Sequence, residues 1–266
     1  NSTSDTNFKI YDLNLAYKIN KDKKLKISKI NTNLDFKLQN GIVKSNLNLK
    51  SLETGEIIGY LNSNKNGNFN SNINTKQIDV SKFNLVNNLA IKKGKSDFNL
   101  KTSGNFNNID KTLVSSGNLD LKNFDSQYFY QKNNAINFDS LTANFNYKNN
   151  KLSLVSELFF DKKNTINLNL NYNLNKDIKS KVIIKIDDIS KIDNYYKNKN
   201  FFPEKGKVNI YIDFLADYKT ILNNIYDFNL KTKINIDKTK FSYIYKNEKI
   251  SEEIDSINLD LKYKNF

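Results

Sequence analysis

From Ile166 to Leu174 apolar and polar residues alternate without a fault. Ile166, Leu168, Leu170, Tyr172 and Leu174 hold one parity, and Asn167, Asn169, Asn171 and Asn173 hold the other. A period of two is the geometry of a strand, whose successive side chains point to opposite faces. The same alternation recurs at Leu34-Phe36-Leu38, Leu141-Ala143-Phe145-Tyr147, Val182-Ile184-Ile186, Ile210-Ile212-Phe214, Ile234-Ile236 and Ile257-Leu259-Leu261-Tyr263. Between these segments stand Asn40-Gly41, Asn66-Gly67 and Asn149-Asn150, pairs that tolerate positive φ and close hairpins. The pattern predicts a mostly β chain, antiparallel, with one apolar and one wet face.

Two stretches interrupt it. Val80, Phe83, Val86 and Leu89 have helical spacing, with Asp79 placed as an N-cap and Gly94 beyond the end. This predicts a short helix near 80–91, and the matching stretch after Asp188 predicts another near 188–198. A third candidate lies near 218–226. Each is a short helical crossover between blocks of strands.

A core of this kind needs enough apolar residues. Of the 266 residues 38% are hydrophobic, and with 15 Tyr and five Ala set aside, Leu, Ile, Val and Phe supply about 30% of the chain. That exceeds the level of roughly 20% below which a packed core is implausible. The same composition narrows the chemistry. There is no His, Cys, Met, Trp or Arg. A Ser–His triad, a thiol nucleophile and a His–Cys zinc site are therefore excluded. Only Ser, Thr, Tyr, Lys, Asp and Glu remain as catalytic groups, and no metal ligand set and no cofactor is expected. With no initiating Met, the chain reads as a piece of a longer protein, and no apolar run approaches the roughly 20 residues that span a bilayer.

The words Asp79-Val80-Ser81-Lys82-Phe83 and Asp188-Ile189-Ser190-Lys191-Ile192 are 109 residues apart. Laying residues 34–83 on 143–192 without a gap gives thirteen identities in fifty, and strand parity and turns coincide along the way. Phe36 falls on Phe145, Asn40 on Asn149, Ile57 on Ile166 and Leu61 on Leu170. Gly94 matches Gly206 after a shift of three, and Leu141–Tyr147 matches Ile257–Tyr263 after a shift of seven. The reading is a repeat of about 110 residues: a partial preceding unit at 1–33, one unit at 34–142 and a second at 143–266. Units of this kind add edge to edge along one axis. The fold expected is a repeat-built, curved antiparallel sheet with short helical crossovers, its apolar face covered by curling, by a second sheet, or by something that is not protein.

With these words in place the chain resembles the AsmA-like superfamily of bacterial envelope proteins. The matching features are the spaced alternating strands and the Asp188-Ile189-Ser190-Lys191-Ile192 word. They also include Lys93-Gly94-Lys95 and Lys205-Gly206-Lys207, the phrase Gly117-Asn118-Leu119-Asp120-Leu121-Lys122-Asn123-Phe124, and Ser140-Leu141-Thr142-Ala143-Asn144-Phe145. The resemblance implies a long folded-over sheet, similar to the eukaryotic bridge-like lipid transfer proteins, anchored in the inner membrane of a Gram-negative cell and crossing the periplasm. It implies a β-groove, hydrophobic inside, that carries phospholipid toward the outer membrane, with no catalytic residue and no enzyme activity. Acyl chains would lie against Phe36, Phe145, Tyr147, Leu168, Leu170, Ile184, Ile212, Phe214, Leu259 and Leu261. Inner- and outer-membrane components would be met through other parts of the parent protein. The chain departs from the intact family in having no N-terminal membrane helix and no recognisable C-terminal domain.

The alternative is a structural or adhesive β-repeat passenger of the cell surface, whose apolar parity is its own closed core. Both demand the same alternation, and they differ in whether the apolar face stays partly uncovered. The formal charge of +14 invites a nucleic-acid reading. Every cation is a lysine, however, and the bidentate grip of Arg on phosphate and guanine is missing. Outside Lys21–Lys26 and the run from Lys191 to Lys207 the lysines are dispersed, so no specific nucleic-acid partner is expected. Lysines beside a groove would instead meet anionic head groups. The aromatic groups Tyr128-Phe129-Tyr130 and Tyr195-Tyr196 to Phe201-Phe202-Pro203 fit loop anchors or membrane contacts. Asp187-Asp188, adjacent on a strand, point to opposite faces and are poorly placed for joint acid–base work. Glu252-Glu253 is the other adjacent pair.

Overall fold

The computed structural model of the chain describes residues 3–18, 24–51, 55–83, 89–131, 134–160, 164–174, 176–190, 201–217 and 228–264. They fall into two compact units, Asn1–Ser126 with Ser140–Lys151, and Gln127–Asp139 with Leu152–Phe266. Both are mostly β, and each is an open, curved antiparallel sheet. The first carries, in hydrogen-bonded order, β1 (Thr3–Lys18), β2 (Lys24–Gln39), β3 (Ile42–Ser51), β4 (Gly55–Ser63), β5 (Asn68–Asp79), β6 (Leu89–Asn105), β7 (Val114–Gln131) and β9 (Ser140–Lys148). The short β8 (Asn134–Phe138) pairs with β7. The second carries β10 (Lys151–Phe159), β11 (Thr165–Asn173), β12 (Asp177–Ile186), β13 (Phe201–Asp217), β14 (Phe228–Tyr245) and β15 (Glu248–Lys264).

Hairpin turns fix the register, and their residues explain why. Gln39 pairs with Ile42 around Asn40 and Gly41, at φ 50° and 75°. Asn149 and Asn150 stand at φ 51° and 60° between β9 and β10. Tyr245 pairs with Glu248 around Lys246 and Asn247, at φ 49° and 65°. Two central residues at positive φ make the tight turn whose twist matches that of its flanking strands. Lys246 is the exception to the residue preference, because only its neighbour Asn247 signals a turn.

Strand length follows a pattern that parity alone does not reveal. β1, β2, β6, β7, β13, β14 and β15 run for 16 to 18 residues. The strands β3 to β5 and β10 to β12 run for only 9 to 12. Six of the long strands carry an irregular residue: Asp12, Lys29, Gly94, Asn123, Gly206 and Lys238 all have positive φ. At that point the apolar parity steps by one. In β14, Ile234 and Ile236 are followed by Thr239 and Phe241; in β7, Leu119 and Leu121 are followed by Phe124 and Ser126. One extra residue in a ladder bends the strand and increases its twist, and the pairing slips there, at Ile10/Leu13 in β1 and at Pro203/Lys207 in β13.

Buried residues gather at the bend, although Phe69, Asn164 and Ala216 are buried away from it. Ile30, Leu121, Phe124 and Val208 are buried there, with Ser96, Ser126, Thr239 and Ser242 beside them. Gly206 sits against Thr239 at φ 139°, and a Cβ added to it would lie 2.3 Å from Thr239 Oγ1 and 2.8 Å from Thr239 Cα. The Lys205-Gly206-Lys207 word is thus the place where β13 crosses the bend of β14.

Two of the short strands, β5 and β12, end at a hydrogen-bonded turn, β5 two residues past an irregular residue of its own, Gln77 at φ 55°. Asp79 Oδ1 accepts from Ser81 N at 3.1 Å and from Ser81 Oγ at 2.6 Å. Asp188 Oδ1 accepts from Ser190 N at 3.2 Å and from Ser190 Oγ at 2.6 Å. The N-cap role expected of Asp79 holds, but the helix after it shrinks. Val80–Phe83 form one 3-10 turn, and β6 already begins at Leu89. Leu89, the last residue of the helical spacing, is the first of a strand. Residues 84–88 lie outside the described residues, as do 191–198 of the second expected helix and all of 218–226. The described α-helix, α1 (Ile109–Thr112), follows a 3-10 turn at Phe106–Asn108 in the β6–β7 link and was not anticipated. Phe106 stacks on Phe69 at 4.4 Å and pins that link to β5.

Candidate functional site

Residues paired across antiparallel strands project from the same face. In the second unit the pairing of β11 to β15 therefore assembles rows across the sheet. Ile166, Ile184, Ile210, Ile234 and Leu259 make one. Leu168, Val182, Ile212, Thr232 and Leu261 make the next. Leu170, Ser180, Phe214, Leu230 and Tyr263 follow. Ile186, Val208, Ile236 and Ile257 flank this field on one side, and Tyr172, Ile178, Ala216 and Phe228 on the other. Only Ser180 and Thr232 interrupt it. Phe228 lies 5.5 Å from Phe214 and 5.3 Å from Tyr263, so one end of the field is a tilted aromatic row.

Seven of the ten residues expected on the lipid-facing parity belong to this field: Leu168, Leu170, Ile184, Ile212, Phe214, Leu259 and Leu261. Phe36, Phe145 and Tyr147 lie on the sheet of the first unit. Phe36 sits in a row with Thr6, Ser45, Leu61, Ser71 and Thr102. Phe145 faces Gly117, and Tyr147 faces Ser115. Sequence reasoning passed over Phe228 and Leu230, which continue the parity of Ile234 and Ile236 but adjoin the stretch assigned to a helix. Their alternation with Asn229 and Lys231 was the signal available.

The field is not roofed by the described parts of its unit. Val208 and Ala216, at its margins, are its buried members; the interior is half-buried, and Leu259, Leu261 and Tyr263 are 46%, 56% and 51% exposed. Substantial packing in the second unit joins only hydrogen-bonded neighbours among the described elements. In the first unit the 3-10 turn after β5 also touches β6 and β2.

The opposite face is mostly amide and ammonium, with Ile183, Tyr211 and Leu215 set among them. Asn7 donates to Asn33 at 3.2 Å and also to Asp35, Asn99 donates to Asn72 at 3.1 Å and also to Asn74, and Asn171 donates to Asn169 at 3.1 Å. The hollows are on this wet side. One of about 610 Å³ is lined by Asn169, Asn171, Lys181, Asp213 and Lys231 among others, and another of about 310 Å³ by Lys9, Tyr11, Asn33 and Lys50 among others. They are furrows between long side chains on a ladder.

Beyond the bend, β13 to β15 hold an ionic knot. Glu204 accepts from Lys249 at 2.8 Å and Lys240 at 3.0 Å, and Ser242 Oγ donates to it as well. Lys249 first, then Ser242 and Lys240, hold the Glu204 carboxyl down from 4.5 to about 2. Lys205 bridges Glu253 at 2.6 Å, which lowers that carboxyl too, and Tyr243 donates to Glu252 at 3.0 Å. The adjacent acids noted in the sequence therefore have structural partners: Asp188 caps its turn, and Glu252 and Glu253 tie neighbouring strands. Asp187 N donates to the buried Asn164 Oδ1 at 2.9 Å. Among the described residues no three Asp or Glu converge as a metal site, and no helix is long and apolar enough to cross a membrane. Of the aromatic groups, Tyr195 and Tyr196 lie outside the described residues; Tyr128 to Tyr130 are in β7, and Phe201 to Pro203 are in β13.

No protein-family model matches the chain, and neither a curated protein nor a solved structure matches it.

Proposed function

We propose that the chain is a segment of an AsmA-like lipid conduit in a Gram-negative envelope, shielding phospholipid acyl chains on the apolar face as they cross the periplasm. The observation that carries this reading is the unroofed field on β11 to β15. Five strands at ~4.8 Å and five rows at ~6.6 Å cover roughly 19 by 26 Å, or ~500 Å². Soluble monomers seldom leave a larger apolar patch than ~300–600 Å², and patches of that size are usually functional.

The chemistry of the rows suits sliding better than holding. Apolar burial is non-directional and scales with area, about 25 cal/mol per Å². Successive rows present nearly the same Ile, Leu and Val surface, so a hydrocarbon chain gains about as much at one row as at the next. Binding therefore costs little to undo over a short step. No proton or bond is exchanged, and the wet face keeps the sheet in solution.

Native mass spectrometry with lipid extraction tests the proposal. Phospholipid should co-purify with the chain and be lost on Leu168→Asp with Leu170→Asp, while circular dichroism stays that of a β-sheet. A folded, lipid-free chain that also excludes added fluorescent phospholipid would sink it, and the closed structural passenger would take its place.

A further inference from the structure

β4 departs from its counterpart in the repeat. With Ile57 on Ile166 and Leu61 on Leu170, Ile58 falls on Asn167, Gly59 on Leu168 and Tyr60 on Asn169. In β11 the alternation is clean. In β4 the wet parity holds Ile58 and Tyr60, while the apolar parity between Ile57 and Leu61 holds a glycine. The pairing fixes their faces. Ile58 stands between Asn48 and Asn74, and Tyr60 between Asn46 and Asn72. Ile58 and Tyr60 are 39% and 42% exposed, on the side away from the apolar rows.

Carboxamides frame these two side chains. Asn72 Oδ1 accepts from Asn99 at 3.1 Å, and Asn74 Oδ1 accepts from Asn99 as well. Asn46 and Asn48 are exposed and have no hydrogen-bond partner among the described residues. The six side chains carry no charge. In the row on one side, Lys50 is bridged to Glu56 at 2.8 Å. Asn48 also lines the hollow of about 310 Å³ that holds Tyr11, so the neutral strip opens into a furrow with a second exposed tyrosine. The wet face of the second unit differs. Tyr211 there lies beside Ile183, but Lys233 opposes it, and Lys181 and Asp213 stand in the next row.

We propose that the wet face of β3 to β5 binds a neutral glycan strand, with Tyr60 as its stacking platform and Asn46 and Asn48 as its hydrogen-bonding arms. The face of an aromatic ring is electron-rich and receives the weakly positive C–H groups on the flat side of a sugar ring. A carboxamide carries one acceptor oxygen and two N–H donors, which matches a sugar hydroxyl that both donates and accepts. Other occupants fit less well. An anionic polymer or a bilayer surface is drawn by clustered lysines, and the six-residue strip has none. A protein partner covers about 800 Å² around an apolar core, and this strip offers two apolar side chains. Tyr60 and Tyr11 are three strand spacings apart across the sheet, or ~14 Å, so a chain of several sugars is needed to reach both. No bond is made or broken. The site lies opposite the apolar rows and does not rest on the lipid reading.

Isothermal titration calorimetry of the whole chain with cellohexaose, maltohexaose and N-acetylated chitohexaose tests the proposal, because all three probes are neutral. At least one should bind, and Tyr60→Ala should weaken it by about tenfold through loss of the stacked ring. Tyr60→Phe should keep the affinity, since the ring face makes the contact. Asn46→Ala with Asn48→Ala should also weaken binding, and this pair carries the test if circular dichroism shows Tyr60→Ala unfolded. Tyr211→Ala, on the charged wet face of the second unit, should change nothing. The proposal is overturned if no hexaose binds, if Tyr211→Ala costs as much as Tyr60→Ala, or if Tyr60→Phe loses as much as Tyr60→Ala. Tyr60-dependent sedimentation with phosphatidylglycerol vesicles in the absence of hexaose binding would replace the glycan by a membrane surface. Acyl chains do not enter the calorimetric readout, so its failure leaves the conduit reading standing.

Discussion

Replacing Leu259 and Leu261 together by Asn separates an open apolar face from a closed core. Burying a leucine fully is worth ~1.5–3 kcal/mol. At 46% and 56% exposure each contributes roughly half of that, so the pair should cost ~2–3 kcal/mol, an upper figure because a denatured chain already hides part of its surface. Two leucines inside a closed core would cost about 2–5 kcal/mol each, with a cavity term added. The first loss is tolerable for a domain of ~5–15 kcal/mol and the second is not. Urea titration followed by far-UV circular dichroism is the assay, since the chain has no Trp. The midpoint should fall with an unchanged slope, which reports an unchanged exposure on unfolding. A loss above ~4 kcal/mol, or an unfolded product, would refute the claim that this margin is unroofed.

Gly206→Ala places a Cβ 2.8 Å from the Thr239 backbone at a φ of 139°, so it should cost ~2–6 kcal/mol, combining strain with overpacking. Gly59→Ala, whose nearest contact is 3.4 Å, should cost within ~1 kcal/mol, and equal losses in urea titration would remove the bend from the account. Glu204 titrates lower folded than unfolded, so its contribution is complete above about 4.5 and is lost as pH falls toward about 2. Midpoints measured from pH 6 to pH 2 should fall less steeply in Glu204→Gln than in the parent chain, and parallel slopes would show that the knot does not couple to folding.

How much of this was legible in the sequence depends on the distance over which a signal acts. Alternation is local, so the strands, their faces and seven members of the field were readable from Leu168 to Leu261. The turns at Asn40-Gly41 and Asn149-Asn150 were readable because positive φ has a residue preference; Lys246 violates it and was missed. The bend was recorded as a step in parity between Ile236 and Phe241, but a parity step also marks the end of a strand. Only the pairing to β13 and β15 shows that β14 carries on. Val80, Phe83, Val86 and Leu89 misled for a related reason, because a turn followed by a strand can mimic helical spacing. The Glu204 knot joins residues up to 45 positions apart, and no local pattern announces it.

The bend gives the repeated words a common cause. Asp79-Val80-Ser81 and Asp188-Ile189-Ser190 end β5 and β12, while Gly94 and Gly206 admit β6 and β13 past Phe124 and Thr239. Many of the buried residues gather where the long strands curl, and the short strands β11 and β12 form an open wall. Closing that wall with a second layer would bury the Ile, Leu and Val rows and remove the surface on which a hydrocarbon chain could move. The rows gain neighbours sideways, and none of the described residues of the second unit supplies one from above.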